Sequence, residues 1–245
     1  MKTLVIIPSR LSATRLPGKP LLKINGLSMI SHVVQKAISA NIGEVFVATE
    51  DQEIIDDVKK NGGQAILTDK NHKTGTDRTF EAVKKLNRSD TELVINLQGD
   101  EPLINIEDIK SLHNHMINTK SNLGTLASNI LKKETFDNQN IVKVITKNNL
   151  NDLMFPEAKI FTRLLSSDVK NVYHHIGVYC YQLETLKKFV LLDQSVNEIK
   201  NRLEQLRALD NGIKINVALA KNSSIGVDTE EDFVAIKKIM EYKNK

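Results

Sequence analysis

Three cationic side chains lie close together near the N-terminus, at Arg10, Arg15 and Lys19. Their loop also contains the dipeptide Pro17-Gly18, which favours a tight turn and lets the backbone come close to a ligand. The loop follows the apolar run 4–7, and ligands of open parallel sheets bind beyond the carboxyl ends of strands. The pattern therefore predicts a site for a polyanion such as phosphate, with an exposed basic loop as the alternative explanation.

The spacing of this loop differs from that of the two commonest phosphate-binding loops. The chain contains no G-x-x-x-x-G-K-[ST] sequence, and no G-x-G-x-x-G follows the first apolar run. Phosphate binding would therefore depend on basic side chains rather than on a glycine-rich loop.

Two aspartates are candidates for binding a metal ion. Asp100 lies just past the apolar run 93–97, and Mg²⁺ in proteins takes few carboxylates together with waters and substrate phosphates. Asp228 precedes a predicted capping box of Thr229 and Asp232, which leaves Asp228 without a capping role. A turn-closing role for Asp100 and a structural role for Asp228 remain the alternatives.

A loop of small residues, Thr74-Gly75-Thr76-Asp77-Arg78, opens a predicted helix. Gly75 would let backbone groups approach a base or ribose closely. Helix capping by Thr74 or Thr76 explains part of this pattern equally well.

The adjacent residues His174 and His175 precede a predicted strand. A metal site needs further ligands at suitable spacing, and the sequence offers none nearby. We therefore expect these histidines to form hydrogen bonds.

The composition limits the function classes. The 245 residues allow one large domain or one domain with an appendage. Lys and Arg exceed Asp and Glu by only 34 to 30, Trp is absent and aromatic residues make up 4%, which argues against nucleic-acid binding and suits small anionic substrates.

The chain lacks an apolar stretch of the roughly 18 residues that span a membrane, and lacks a signal-peptide pattern, so we expect a cytoplasmic protein without a membrane association. The lone Cys180 excludes an internal disulfide and lies in a predicted strand, where burial is expected.

The elements that must position these residues alternate between strands and helices. Strands are predicted at 4–7, 44–49, 64–68 and 93–97, with Pro8 ending the first. Between them, helices are predicted from Met29 with Ser28 as N-cap, around 54–58, and over 76–86. This alternation is typical of parallel βαβ units and predicts an α/β fold with a doubly wound, mostly parallel sheet.

The pattern changes from about residue 124. A hairpin is predicted from strands at 142–146 and 152–155, followed by a segment without clear period over 155–171. A strand at 176–181 and a helix over 197–209 come next, and the α/β pattern returns with a strand at 214–219 and a helix at 229–242. The hairpin region is therefore interpreted as an insertion.

Several segments together resemble one family. They are P-S-R at 8–10, T-R-L-P-G-K-P at 14–20, T-G-T-D-R at 74–78, N-L-Q-G-D-E-P at 96–102, H-x-G-x-Y at 175–179, L-E-Q-L-R-A-L at 203–209 and G-V-D-T-E-E-D at 226–232. In this order they look like the motifs of the 3-deoxy-manno-octulosonate cytidylyltransferases, and they cover nearly the whole chain.

The resemblance implies an activity and an architecture. The activity is transfer of CMP from CTP to 3-deoxy-D-manno-octulosonate (KDO), which gives CMP-KDO and pyrophosphate for lipopolysaccharide biosynthesis in a Gram-negative bacterium. The architecture is a single Rossmann-like nucleotidyltransferase domain over 1–245, with a smaller α+β insertion at about 125–195 for sugar binding and dimerisation. A cytoplasmic, Mg²⁺-dependent homodimer is expected.

The resemblance also implies the roles of the site residues. Catalytic roles fall to Arg10, Arg15, Lys19, Asp100 and Asp228, and the last two would bind Mg²⁺. The residues implied for CTP are Pro8, Arg10, Lys19, Thr74, Gly75, Arg78 and Gln98. The residues implied for the sugar are Gln98, Arg163, His175, Tyr179, Glu204 and Gln205.

One segment departs from the family pattern. Where the family reads Phe-Ser-Arg, this chain has Phe155-Pro156-Glu157, so an anion replaces a cation expected to bind the sugar carboxylate. Either Arg163 supplies the lost charge, or the acceptor is another acidic sugar such as 8-amino-KDO, whose ammonium an acidic residue would favour. A nucleotide-binding regulatory protein without catalysis is a further alternative, against which both candidate metal aspartates argue.

Overall fold

The computed structural model describes residues 2–12, 15–130, 136, 138–151, 153–165, 169–222 and 226–242. The chain divides into two compact units. The first unit spans residues 2–106 and 224–245, and the second spans residues 107–223. Among the predicted segments, Thr14, Asp152 and residues 166–168 lie outside the described residues.

The helices and strands follow one another along the chain as β1 (Lys2–Ser9), β2 (Lys23–Ile24), β3 (Leu27–Ser28), α1 (Met29–Ala40), β4 (Glu44–Thr49), α2 (Gln52–Lys60), β5 (Ala65–Leu67), α3 (Gly75–Leu86), β6 (Thr91–Asn96), α4 (Ile106–Thr119), β7 (Leu123–Ser128), β8 (Lys143–Thr146), β9 (Ala158–Thr162), β10 (Val172–Gln182), α5 (Leu183–Val190), α6 (Val196–Asn201), α7 (Gln205–Asp210), β11 (Asn216–Ala220) and α8 (Glu230–Tyr242). A short 3₁₀ turn, Lys19–Leu21, follows the basic loop. Within the described residues, none of the helices has the length and apolar character needed to cross a membrane.

A parallel sheet with the strand order β6-β1-β4-β5 forms the centre of the first unit. The apolar run 4–7 of β1 is almost completely buried, as expected for a strand covered on both faces. Helices α1, α2 and α3 connect successive strands and pack against the sheet. The predicted α/β alternation and the mostly parallel sheet are therefore confirmed. Since β4 and β5 lie on one side of β1 and β6 lies on the other, the connections reverse direction between β1 and β6.

Pro8 does not end β1, contrary to the prediction. The pairing of β1 with β4 continues through Pro8, opposite Ala48, to Ser9. The pairing of β1 with β6 ends at Ile6. A proline without a backbone donor is tolerated where a strand is paired on one side only, so β1 extends past Pro8 toward the basic loop.

The sheet of the second unit is mixed. β7 pairs in parallel with β11 and antiparallel with β10, and β8 pairs antiparallel with both β10 and β9. Cys180 is buried in β10, as predicted, and burial raises the pKa of its thiol. The predicted insertion at about 125–195 lies within this unit, and its part in sugar binding and dimerisation stays a prediction.

The hairpin prediction is correct for its first strand and wrong for its second. The strand that pairs with β8 is β9, which lies beyond the predicted 152–155 and inside the segment for which no period was found. Just before β9, the Pro156 carbonyl pairs elsewhere, because it accepts from the Val217 amide at 2.9 Å. The amide of Ala158, the first residue of β9, donates to the Ile215 carbonyl at 2.8 Å. The Pro156 backbone is therefore bound to β11, and the ladder with β8 begins at Ala158, opposite Thr146.

The helix predicted over 197–209 is two short helices, α6 and α7. Between them Arg202 adopts a left-handed conformation with φ 53°, a common way for a helix to end. The apolar period continues across this break, so periodicity alone could not reveal it. The break places Glu204 and Gln205 at the beginning of α7.

Candidate functional site

A cavity of about 310 Å³ lies in the first unit where β1 and β6 end. This is the point at which the connections of the sheet reverse direction, the usual ligand site of such folds. All ten residues predicted for CTP, catalysis or metal binding line it, namely Pro8, Arg10, Arg15, Lys19, Thr74, Gly75, Arg78, Gln98, Asp100 and Asp228. The structure therefore brings these residues together, while their individual roles stay predictions.

The floor of the cavity is closely packed around Gly99. A Cβ atom at this position would lie 3.2 Å from the carbonyl oxygen of Pro8 and 3.0 Å from the side chain of Ile30. Glycine lets the loop after β6 pass this close to the end of β1 without displacing either neighbour. This contact keeps Gln98 and Asp100 beside the residues that follow β1.

Lys19 is the centre of the charged cluster. Its ammonium group donates to Asp100 Oδ2 at 2.6 Å and to the carbonyl oxygen of Val227 at 2.7 Å, and it lies 3.5 Å from Asp228 Oδ1. The Arg15 guanidinium forms an ion pair with the other oxygen of Asp228 at 3.0 Å. Two carboxylates from distant parts of the chain thus converge on one cation.

Local structure explains how Lys19 and Asp228 reach each other. Gly18 has φ 71°, which is unfavourable for residues with a side chain, and it turns the chain into the 3₁₀ turn that begins with Lys19. The Val227 amide donates to the Asp100 carbonyl at 2.9 Å, so residues 226–228 lie against the end of the β6 loop. The predicted capping box is confirmed, because Thr229 and Asp232 exchange backbone and side-chain hydrogen bonds at the start of α8.

The same cluster can be tested as a site for a divalent cation. The oxygens of Asp100, Asp228 and the Val227 carbonyl all approach one positive group, and hard oxygen donors of this kind suit Mg²⁺. Among the described residues there is no group of three or more acidic, histidine or cysteine side chains for a fully protein-bound metal. The residues therefore fit an ion that is held by one or two carboxylates and completed by water and phosphate oxygens.

Arg78 reaches the cavity from α3 and is almost fully buried. Its guanidinium donates to Thr68 Oγ1 at 2.6 Å and to the carbonyl oxygen of Asp69 at 3.2 Å, and it forms an ion pair with Glu50. These bonds join α3 to the segment after β5. Direct contact of Arg78 with cytidine stays a prediction.

His72 and Lys73 also line the cavity, and the sequence reasoning missed them. Glu81 of α3 holds their loop, because its carboxylate accepts from the Asp69 amide at 2.8 Å and pairs with His72 and with Lys85. Partial burial opposes ionisation of Glu81, but these contacts lower its pKa to about 2. The sequence signal for His72 and Lys73 was the position of two basic residues directly before Thr74, the N-cap of α3.

The predicted sugar residues His175, Tyr179, Glu204 and Gln205 belong to the second unit. The rings of His175 and Tyr179 lie 5.6 Å apart on β10, and the Thr125 hydroxyl lies 3.0 Å from His175 Nε2. Burial and the neighbouring His174 lower the pKa of His175 to about 3, so its imidazole is neutral at physiological pH. Burial, Tyr181 and Glu204 raise the pKa of Tyr179, so its hydroxyl keeps its proton.

Arg163 and Glu157 are both engaged within the second unit. The Arg163 guanidinium donates to the carbonyl oxygens of Gln139 and Asn140, at 3.3 and 3.0 Å. The Glu157 carboxylate pairs with Lys147 and, at 2.9 Å, with Lys214, and these contacts lower its pKa. Glu157 is therefore an anion with two cationic partners. Substrate binding by Arg163 stays a prediction.

Comparison with known proteins gives a consistent result. A family model described as cytidylyltransferase matches residues 4–215. The 3-deoxy-manno-octulosonate cytidylyltransferase of Thermodesulfovibrio yellowstonii is 45% identical over 98% of this chain and 98% of its own length. The protein of the same name from Afipia carboxidovorans is 41% identical over 97% of this chain and 96% of its own.

Solved structures also match over nearly the whole chain. A CMP:2-keto-3-deoxy-manno-octonic acid synthetase complexed with CTP has a TM-score of 0.90 and 34% identity, covering 99% of this chain and all of that one. An apo UDP-glucose pyrophosphorylase has a TM-score of 0.74 with 13% identity, which shows a shared fold. The Rossmann-like nucleotidyltransferase fold predicted from the sequence is thereby confirmed.

Proposed function

The chain belongs to the 3-deoxy-manno-octulosonate cytidylyltransferase family, and on that premise we propose that it transfers CMP from CTP to KDO. The anomeric C2 hydroxyl of KDO forms a bond to the α-phosphorus of CTP, the bond to the β-phosphate breaks, and pyrophosphate leaves. The product, CMP-KDO, is the activated sugar for lipopolysaccharide biosynthesis.

One observation carries the proposal: three cations and two carboxylates converge in a single pocket of the first unit. The positive charges needed to bind a triphosphate come from Arg10, Arg15 and Lys19. The same groups stabilise the negative charge that develops on the leaving pyrophosphate. Catalysis then depends mainly on positioning and on charge neutralisation. The ion pairs of Lys19 and Arg15 with Asp228 are partly exposed, so a polyphosphate can replace them at low cost.

Nucleotidyltransferases of this kind commonly use a divalent metal ion. We propose Mg²⁺, held by Asp100 and Asp228. When bound there, Mg²⁺ would neutralise phosphate charge and make the α-phosphorus more electrophilic. Lys19 would then contribute its own charge to the phosphates.

The sugar is proposed to contact neutral groups of the second unit. The neutral imidazole of His175 and the protonated hydroxyl of Tyr179 offer hydrogen bonds to sugar hydroxyls. Glu204 and Gln205 offer acceptors at the start of α7, and Arg163 is the candidate for the carboxylate. The pairing of Glu157 with Lys147 and Lys214 weighs against selection of 8-amino-KDO by this residue.

We further propose a cytoplasmic homodimer. CTP is an intracellular nucleotide, which supports the cytoplasm as the place of reaction. Large apolar side chains of the second unit are exposed within the predicted insertion, including Leu153, Ile160 and Leu164. A second copy of the chain would remove such a surface from water.

The decisive experiment measures pyrophosphate release with CTP, UTP, ATP and GTP. Each nucleotide is offered with KDO, 8-amino-KDO and N-acetylneuraminate, in Mg²⁺ and in chelator. We expect release with CTP in Mg²⁺, with KDO as the preferred acceptor, and none in chelator. Release with UTP but not with CTP, or equal turnover of all three acceptors, would refute the proposed function.

A further inference from the structure

The dipeptide Glu50-Asp51 directly follows β4. Among the described residues that line the cavity, neither acid appears. Each carboxylate is nevertheless bound to a residue that belongs to, or adjoins, a different wall of the cavity.

Asp51 holds the basic loop. Its backbone occupies the N-cap position of α2, but its side chain makes no capping hydrogen bond, which is unusual for an aspartate in this place. Instead, its Oδ2 accepts from the Leu11 amide at 2.7 Å. The Leu11 carbonyl in turn accepts from the Gly18 amide at 3.1 Å. Both backbone groups of Leu11 are therefore fixed, directly beside Arg10 and one bond from the turn that carries Lys19.

Glu50 holds the opposite wall. Its carboxylate pairs with the Arg78 guanidinium, whose side chain is 4% exposed. Arg78 lies in the first turn of α3, next to Gly75 and Thr74, which line the cavity. The charge of Glu50 is thus neutralised, and its bond fixes the start of α3 relative to the end of β4.

We propose that Glu50-Asp51 is a positioning pair for the nucleotide, resting on the proposed use of CTP. Two successive residues at the rigid end of a central strand fix the phosphate-binding loop and the start of α3 at one separation. A site that must hold both ends of a nucleotide depends on that separation, because small misplacements of positioning groups strongly reduce rates. The pair acts through Leu11 and Arg78 and does not itself touch the substrate.

The test compares three substitutions at Asp51 with a control. In Asp51→Ala the Leu11 amide loses its acceptor, and we expect the KM for CTP to rise about tenfold, the change that loss of one such hydrogen bond gives. Asp51→Asn keeps an oxygen acceptor and should restore the KM for CTP to within about threefold of wild type. Asp51→Ser keeps a good N-cap residue but is too short to reach Leu11, so it should behave like alanine without loss of helix stability.

The control is Glu53→Ala, which removes an exposed carboxylate from the same first turn of α2. It should leave both KM values unchanged. The KM for KDO should stay near wild type in every variant, because the pair is proposed to position only the nucleotide. A change confined to the KM for CTP thus separates positioning from general destabilisation. Glu50→Gln, which keeps an acceptor for Arg78, should raise the KM for CTP less than Asp51→Ala does.

The outcomes separate this inference from the proposed function. CTP binding by calorimetry and thermal unfolding are measured on each folded variant beside the kinetics. A wild-type protein that binds no CTP overturns both proposals. Normal CTP binding and turnover by wild type, with an unchanged KM for CTP in Asp51→Ala and Asp51→Ser, overturns only the positioning role. An equal rise of both KM values also overturns it.

Discussion

The two units of the chain arrange their charged groups in opposite ways. In the first unit, Lys19 bridges Asp100 and Asp228 at the wall of a cavity, and the side chain of Asp228 is 50% exposed. In the second unit, the Glu198–Arg207 pair is 4% exposed at both ends. Exposed ion pairs are weak and can be exchanged for a ligand, whereas removing one partner of a buried pair strongly lowers the stability of the fold. The first arrangement suits binding of a polyanion, and the second fixes a framework.

The polar groups proposed for the sugar extend this contrast. His175 is buried and Tyr179 is partly buried, and the directions of their pKa shifts keep both neutral at pH 7. A sugar rich in hydroxyls needs neutral donors and acceptors, while a triphosphate needs charge. The comparison makes two predictions. Neutralising a charge in the cavity of the first unit should mainly lower the turnover rate, and neutralising a buried charge in the second unit should mainly lower the free energy of unfolding.

The largest effect is expected for Asp100→Asn. This change keeps the size of the side chain but removes the charge that faces Lys19 and the proposed Mg²⁺. We expect kcat to fall at least about a hundredfold, since preorganised charge is usually the largest single contribution to catalysis. Pyrophosphate release at saturating CTP, KDO and Mg²⁺ measures it, and Asp228→Asn should behave alike.

The matched control for this prediction is Asp90→Asn. Asp90 pairs with Lys2 at 2.6 Å in the same unit, but both side chains are exposed and neither lines the cavity. Its kcat should equal that of wild type. Near-normal turnover by Asp100→Asn would contradict the catalytic role and favour the alternative that Asp100 only closes a turn.

The next largest effect is expected on the stability of the second unit. Glu198→Ala leaves the buried Arg207 guanidinium without the carboxylate to which it donates two hydrogen bonds, at 2.8 and 2.6 Å. We expect the free energy of unfolding to fall by about 3 kcal/mol or more. Chemical denaturation measures it, with Glu184→Ala, which breaks an exposed pair with Lys187, as the control that should cost under about 1 kcal/mol. Equal losses in the two variants would contradict the contrast between the units.

A smaller effect on stability is expected at acid pH, through protonation of His175. Its folded-state pKa of about 3 lies below the value near 6.5 of an unfolded histidine, so the unfolded chain binds more protons between these pH values. Stability from this group is therefore complete above about pH 6.5 and is lost as pH falls, by about 2 kcal/mol at pH 5.

Thermal unfolding of wild type and His175→Gln at pH 7.5 and pH 5 tests this. The drop in Tm on acidification should be smaller in the variant, which cannot titrate at this position. His174 is present in both proteins, so its own titration contributes to both drops. Identical drops would mean that His175 is already protonated in the folded protein.

Much of the first unit could be predicted from sequence, because its signals are local. The run 4–7 is apolar on both faces, and the cations follow the first strand directly. Ser28 caps its helix as predicted, and of the two candidate caps Thr74 and Thr76 the structure has Thr74. The ends of neighbouring parallel strands meet at one edge, so ten candidate residues in separate motifs had to come together.

The failures have physical reasons. The second hairpin strand lies in β9 because the Val217 amide, more than fifty residues away in sequence, binds the Pro156 carbonyl. Arg202 ends a helix by adopting a left-handed conformation, which an arginine in the sequence does not predict. Glu50 and Asp51 were missed because a carboxylate that holds a backbone amide or a guanidinium behind a pocket has no motif of its own. Long-range partners of this kind cannot be read from spacing.

The smallest effect is expected for Glu157→Gln. The carboxylate is already paired with Lys147 and Lys214, both of which are more than half exposed, so its removal should cost under about 1 kcal/mol of stability. Because its charge is balanced within the second unit, it should also leave the ratio of kcat/KM for KDO to that for 8-amino-KDO within about twofold of wild type. The ratio is measured by competition between the two acceptors. A shift toward KDO beyond that range would show that Glu157 attracts the ammonium of the amino sugar, and the second unit would then select its acceptor by charge after all.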